Sequence, residues 1–177
     1  MKFPGAVRLM YLPVLLLVVA TCAAAAPRPA DLAQAFSIQT LDGKTFDLSA
    51  ERGRWVIVNF WATWCSPCIA EMPAISKFVA SHKNVAAIGL AWDRSPRAEL
   101  VKFARKHPVN YPLAQVDMEH PPSAFAAPLA LPTTYLIAPD GQLVKQFTGP
   151  VTAKLLEQAI AAASTKSAAA PSASVGR

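Results

Sequence analysis

Cysteine is scarce in this chain. Only three of its 177 residues are cysteines, Cys22, Cys65 and Cys68. The first falls in an apolar leader, so the remainder has two, too few for a disulfide framework or a four-thiolate zinc site. Histidine is equally sparse, and His82, His107 and His120 stand far apart in the sequence. A metal held by the two thiolates and one of them is an open reading, although isolated histidines are more often surface groups or helix caps. An excess of one charge is missing too. The chain carries +6, but Lys2, Arg8, Arg28, Lys166 and Arg177 sit at its ends, and between Asp31 and Ala163 twelve basic residues face eleven acidic ones. The high pI therefore belongs to the termini and implies no nucleic-acid partner. There is no internal repeat, and the length suits one domain with a sizeable core.

The long uncharged apolar run is N-terminal. Lys2 and Arg8 precede the stretch from Leu9 to Ala26, which ends at Pro27-Arg28-Pro29. Residues 1–26 read as an export signal or a membrane anchor outside the fold. The alanines from Ala23 to Ala26 offer cleavage sites, while the run is at the short edge of what spans a bilayer. Val19-Ala20-Thr21-Cys22 is similar to a bacterial lipobox with a poor residue at Thr21, which makes lipidation at Cys22 a third option. Each option places the domain in a periplasmic or other extracytoplasmic, oxidising compartment. Residues 27–33 read as a linker, 34–163 as the domain, and 164–177 as a disordered Ala/Ser-rich tail.

Within the domain, Phe36–Thr40 and Thr45–Leu48 flank Asp42-Gly43 and predict a β-hairpin. The run from Trp55 to Ala62 is almost continuously apolar, as in a strand covered on both faces. From Ser66 the period becomes helical, with Cys68, Met72, Ile75 and Val79 on one line and Glu71, Ser76 and Lys77 off it. Pro67 falls in the first turn of that helix, where its missing N–H costs nothing, and Pro73 predicts a kink. Val85–Trp92 predicts a strand, and Ser95-Pro96 predicts the cap and first turn of a second helix. The proline-rich stretch from Asn110 to Pro128 reads as a loop with one helical turn near Ser123. Thr134–Ala138 and Leu143–Phe147 read as strands around Pro139-Asp140-Gly141, followed by a helix over Thr152–Ala163 with Leu155, Leu156, Ala159 and Ile160 on one face. This order predicts an α/β fold, a mixed sheet with helices on both faces.

The two cysteines sit where strand becomes helix, three residues apart, and they are not equivalent. Cys65 lies near the N-cap, beside free N–H groups and the positive end of the helix dipole, which favours thiolate. It is the candidate nucleophile, and Cys68, one turn in on the apolar line, is the candidate resolving thiol. A permanent staple would close too short a loop to constrain the unfolded chain much.

The block Val58-Asn59-Phe60-Trp61-Ala62-Thr63-Trp64-Cys65-Ser66-Pro67-Cys68, then Glu71-Met72-Pro73, Leu131-Pro132-Thr133-Thr134-Tyr135 and Asp140-Gly141, resembles the thioredoxin superfamily, and more closely the exported TlpA/ResA-like thiol-disulfide oxidoreductases, over Phe36 to Ala163. The resemblance implies a thioredoxin-like fold: a central mixed sheet flanked by helices, extended by the N-terminal hairpin. It implies a cis Pro132 against the cysteine pair, with Leu131 able to align a substrate strand. It implies that Glu71 exchanges a proton with Cys68, the competing reading being a solvated helix charge. Asn59 stands where cytoplasmic thioredoxins carry a buried Asp, a departure that shifts proton handling toward Glu71. Trp64, Ser66 and Pro67 form the expected contact surface for a substrate, and Trp61 reads equally well as core.

The expected activity is exchange of the Cys65–Cys68 couple with disulfides of exported proteins, more often as a reductant, for example of apocytochrome c or copper-site cysteines. A membrane or soluble thiol-disulfide donor would restore the dithiol, and neither cofactor nor metal is implied. Two rivals remain. A peroxiredoxin-like peroxidase would want Thr or Ser three residues before the reactive Cys, where this chain has Ala62. A copper-delivery protein of related fold would use a longer Cys spacing and a distant His.

Overall fold

The computed structural model describes residues 36–169, with Met1, and side chains as far as Thr165. The leader, the linker, residues 34 and 35 and the last eight residues lie outside the described residues, and with them the expectations of export, anchoring and lipidation. Among the described residues no helix is long and apolar enough to cross a membrane.

The chain begins with a two-stranded antiparallel hairpin, β1 (Ser37–Gln39) and β2 (Thr45–Asp47). Its turn is closed by Thr40 N–H and O–H bonds to the Lys44 carbonyl, and Gly43 takes the positive φ of 86° that a tight turn of this kind requires. Asp47 then caps a 3-10 turn, Leu48–Glu51, by accepting the Ser49 N–H at 2.8 Å.

The main sheet has five strands in the order β5 (Leu113–Gln115), β4 (Val85–Ala91), β3 (Trp55–Trp61), β6 (Thr133–Ile137), β7 (Leu143–Thr148). β3 runs parallel to β4 and antiparallel to β6, which makes the sheet mixed. All seven residues of β3 are buried, as its unbroken apolar run predicts. Its side chains alternate: Trp55, Ile57 and Trp61 pack with the helices, while Val56, Val58 and Phe60 pack on the opposite side.

Three helices cover the sheet: α1 (Ser66–Ser81), α2 (Arg97–Lys106) and α3 (Ala153–Ala169). All three lie on the same face. Met72, Ile75 and Phe78 of α1, Leu100 of α2 and Leu156 of α3 share one core cluster. This corrects the expectation of helices on both faces. The crossovers β3–α1–β4 and β4–α2–β5 step in the same direction along the sheet, and two right-handed connections of that kind must lie on one side. The other face is closed by the hairpin through Phe36 and Phe46, by Leu48, and by Phe125 from the segment between β5 and β6.

Further differences are local. The proline-rich stretch contains the short strand β5, which pairs with β4 from Gly89 to Ala91, and a turn rather than a helix near Ser123. α3 runs to Ala169, past the expected domain boundary at Ala163, because alanine is the strongest helix former and nothing in Ala161–Ala169 interrupts it. Leu155, expected on its buried face, is 41% exposed.

Gly89 sits in β4 where a Cβ would come within 2.5 Å of Leu113 Cδ2 and 3.0 Å of Trp61 Nε1. Both neighbours are buried in the core. Gly89→Ala is expected to lower stability by about 1–3 kcal/mol through overpacking, read as a lower urea midpoint at unchanged slope; an unchanged midpoint would show that Leu113 yields freely.

Candidate active site

β3 delivers the chain to a turn, Ala62 to Trp64, and Cys65 becomes the N-cap of α1. Its Sγ accepts the Cys68 N–H at 3.3 Å and its carbonyl accepts the Ile69 N–H at 3.1 Å. The two cysteines form a disulfide, with Sγ atoms 2.00 Å and Cα atoms 5.3 Å apart. Pro67 occupies the first turn, and no acidic residue there opposes the dipole at Cys65. The pair is asymmetric in access: Cys65 is 5% exposed and Cys68 is fully enclosed, while Trp64 beside them is 68% exposed. Ser66 and Pro67 are exposed as well. Trp61 is core, stacked on Phe103 with ring centres 5.1 Å apart.

Glu71, one turn beyond Cys68, is not a solvated charge. It is 4% exposed, although its position off the predicted apolar line suggested otherwise. Phe78 rather than Val79 is the fully buried residue at the far end of that line. α1 lies against both the sheet and the segment leading into α3, so a wider stripe is covered than one row of side chains predicts. Glu71 Oε1 accepts from Asn59 Nδ2 at 2.7 Å, and Oε2 accepts the Val151 N–H at 2.7 Å. Asn59 Nδ2 also donates to Thr134 Oγ1 at 3.0 Å. Burial pushes the Glu71 pKa above the ordinary carboxylate value, and the bonds from Val151 and Asn59 only partly oppose it. Tyr111 belongs to the same environment. Burial, reinforced by the Glu71 charge, drives its hydroxyl far up, and that buried hydroxyl has no hydrogen-bond partner among the described residues. Nothing in the sequence singles out Tyr111, which lies far from the cysteine block, and Thr134 stands in the Leu131–Tyr135 block of the resemblance with no role assigned to it.

The Leu131–Pro132 peptide is cis. Pro132 is buried, and its carbonyl accepts the Gly149 N–H at 2.8 Å. Leu131 is half-buried and packs against the core clusters on both sides of the sheet, one of which holds Cys65 and Cys68.

Sequence reasoning missed Asp93, just past β4. Its carboxylate is 4% exposed; Oδ2 accepts the Thr63 N–H at 2.8 Å and the Thr63 hydroxyl at 2.6 Å, and Oδ1 accepts the Ser95 N–H at 2.8 Å. Burial pushes its pKa up, but these bonds outweigh it and hold the group below the ordinary range. Ser95, predicted to cap α2, is thereby engaged. Pro96 takes the cap position with no side-chain bond, and the Ser95 carbonyl accepts from Gln115 Nε2 at 2.8 Å. The available signal was an Asp directly after a buried strand and two residues before Ser-Pro, a common turn pattern.

The histidines are occupied elsewhere. His82 stacks on Phe78 at 4.1 Å, His107 on Phe103 at 4.3 Å, and His120 contacts Asp117 at 3.0 Å. Among the described residues no group of three His, Cys, Asp or Glu is placed to hold a metal ion.

A mixed sheet whose central strand ends in a disulfide at a helix N-cap, with a cis-proline strand beside it, defines a thioredoxin-fold thiol-disulfide exchanger. Residues 29–146 match the AhpC/TSA family model, and the chain belongs to that thioredoxin-like family. It is 31% identical over 124 residues to the thiol-disulfide oxidoreductase ResA of Bacillus thuringiensis, covering 70% of this chain and 71% of that one. To ResA of Bacillus subtilis it is 30% identical over 126 residues, covering 68% of each chain. Among solved structures it is similar to a secreted Mycobacterium tuberculosis disulfide oxidoreductase homologous to Escherichia coli DsbE, at TM-score 0.61 and 25% identity, covering 72% of this chain and 95% of that one. DsbF of Mycobacterium tuberculosis matches at TM-score 0.60 and 26% identity over 76% of this chain and 97% of that one. The protein is a thiol-disulfide oxidoreductase of the ResA/DsbE type.

The raised Glu71 pKa gives a signed pH dependence. The folded state holds the Glu71 proton more tightly than the unfolded chain does, so this contribution to stability is full below the unfolded value near 4.5 and is lost as pH rises through the higher folded value. Glu71→Gln in the oxidised protein is expected to flatten stability across that window, measured by urea unfolding at a series of pH values. A variant that keeps the wild-type slope would assign the slope to another group.

Proposed function

We propose that the protein is an extracytoplasmic protein-disulfide reductase in which Cys65 attacks and Cys68 resolves. The observation that carries this is the asymmetry of the pair: Cys65 is at the helix N-cap beside the exposed Trp64, and Cys68 is enclosed one turn from a buried carboxyl group. In the reduced protein the Cys65 thiolate attacks one sulfur of a substrate disulfide. A Cys65–substrate disulfide forms, and the other substrate sulfur leaves as a thiolate that takes up a proton. Cys68 then gives its proton to the Glu71 carboxylate and attacks Cys65 Sγ. The Cys65–Cys68 bond forms and the second substrate sulfur leaves as a thiolate that takes up the second proton from solvent. The substrate gains two electrons and two protons, and the protein is left as the disulfide.

Substrates enter at the rim of Trp64, Ser66 and Pro67, and an extended segment pairs along Leu131 beside Pro132. The apolar leader from Leu9 to Ala26 and the similarity to a secreted Mycobacterium tuberculosis disulfide oxidoreductase support a location outside the cytoplasm. There the partners are exported proteins with disulfides, apocytochrome c or copper-site cysteines among them, and a membrane or soluble dithiol donor re-reduces the pair.

Cys68→Ser is expected to accumulate mixed disulfides with exported proteins, whereas Cys65→Ser accumulates none; the opposite pattern reverses the two roles. Equilibration with glutathione buffers is expected to place the couple nearer the thioredoxin value of about −270 mV than the about −120 mV of a strong oxidant. A strongly oxidising potential would overturn the reductant assignment. Peroxide turnover or tight Cu(I) binding without disulfide exchange would replace the proposed function with one of its two rivals.

A further inference from the structure

The Asp93 carboxylate is buried and takes part in no ion pair among the described residues. A carboxylate withdrawn from water persists only where donors replace its hydration, and Thr63, thirty residues upstream, supplies two of those donors. A merely local task, capping the helix that follows, is not what it does: α2 starts at Arg97, and its cap residue Pro96 has no side-chain bond. Asp93 is instead directed at the turn between β3 and α1. That turn is only Ala62 to Cys65 long. Its entrance is held by the Trp92 N–H bond to the Trp61 carbonyl at 2.7 Å, and its middle by the paired Thr63 bonds to one oxygen of Asp93. Both bonds end on the same oxygen, so they fix the Thr63 backbone and its side-chain rotamer together. Two residues later comes Cys65, whose Sγ is the acceptor for the first turn of α1.

We infer that Asp93 is a positioning residue for the reactive cysteine: through Thr63 it holds the Trp61–Cys65 turn so that Cys65 Sγ stays over the N–H groups of α1. The inference deepens the proposed function and rests on Cys65 being the attacking thiol. After reduction the same N–H groups stabilise the thiolate, so the clamp keeps Cys65 ionised near neutral pH. Its sign separates positioning from charge. As a nearby negative charge, Asp93 would disfavour the thiolate, and its removal would lower the Cys65 pKa. As a clamp, its removal raises that pKa toward the free-thiol value. The other ionisable groups on the segments around the turn are Cys68, Glu71 and Lys77 on α1, Arg94 beside Asp93, Tyr111 before β5 and Tyr135 on β6.

The test is the pH profile of Cys65 alkylation by iodoacetamide in the reduced full-length chain carrying Cys68→Ser, followed by the mass of the Cys65 peptide so that Cys22 does not contribute. Asp93→Ala is expected to move the midpoint up by about one pH unit, with about tenfold slower alkylation below it. Asp93→Asn, whose carbonyl oxygen can accept both Thr63 bonds, should restore the midpoint to the wild-type value or below it. Thr63→Val, which keeps the N–H bond and loses the hydroxyl bond, gives a smaller upward shift and serves if Asp93→Ala does not fold. A midpoint for Asp93→Ala at or below wild type, or an Asp93→Asn midpoint raised as far as that of Asp93→Ala, overturns the inference. These shifts in a protein without disulfide-exchange activity would leave the clamp standing and remove the proposed function; exchange activity without the shifts would do the reverse.

Discussion

The junction where β3 becomes α1 is the constraint on which the rest of the molecule depends. A sulfur atom, rather than a serine or aspartate oxygen, accepts the N–H of the first helical turn. The group that caps the helix is therefore also the group proposed to react. A capping bond contributes on the order of 1 kcal/mol to a helix, and here it works on the reduced protein by favouring the charged thiolate over the thiol. Everything that fixes the end of β3 also fixes the sulfur. That includes complete burial of the central strand, its pairing with β4 and β6 on either side, and the bonds from Trp92 and Asp93 to the turn.

Below the junction, the interior is polar where a packed core would be apolar. Glu71, Asn59 and Thr134 form a connected network between α1, β3 and β6, and Val151 closes it from the segment that enters α3. Each member left without a partner would cost about 1–3 kcal/mol, so the network is retained at a cost that apolar residues would not carry. Its bonds satisfy both carboxylate oxygens, and no cation pairs with Glu71 among the described residues. The result is a carboxyl group that is ordered but reluctant to ionise, the state suited to trading a proton with an enclosed thiol one turn away. An Asp at position 59 would put two acids in this space; this chain carries one acid and an amide.

Much of this was legible in the chain itself. The apolar run from Trp55 to Trp61, the switch to helical period at Ser66 and the proline in the first turn located Cys65 at a helix N-cap before any coordinates. Asp42-Gly43 located the hairpin. The legible features are local: period, turn chemistry and the spacing of two residues. Failures came where distant elements decide. Glu71 was legible only through the family resemblance, because a helical period describes one contact line, whereas α1 is covered from two directions. Asp93 gave only the signal of a local turn and Tyr111 gave none, because their partners lie 30 and 40 residues away in sequence. β5 was hidden among prolines because three residues of strand have too little period to read, and only pairing with β4 defines them.

By itself, then, the sequence determined which residues carry the chemistry and what kind of chemistry it is, because a thiol pair at a strand-to-helix turn is specified by neighbours within one turn of chain. Only the tertiary structure decided how that pair is tuned. The burial of Glu71, the clamp from Asp93 to Thr63, the gathering of all three helices on one face and the enclosure of Cys68 each depend on segments brought together across the sheet. Their electrostatic effect comes from the loss of water between them, which no local pattern records.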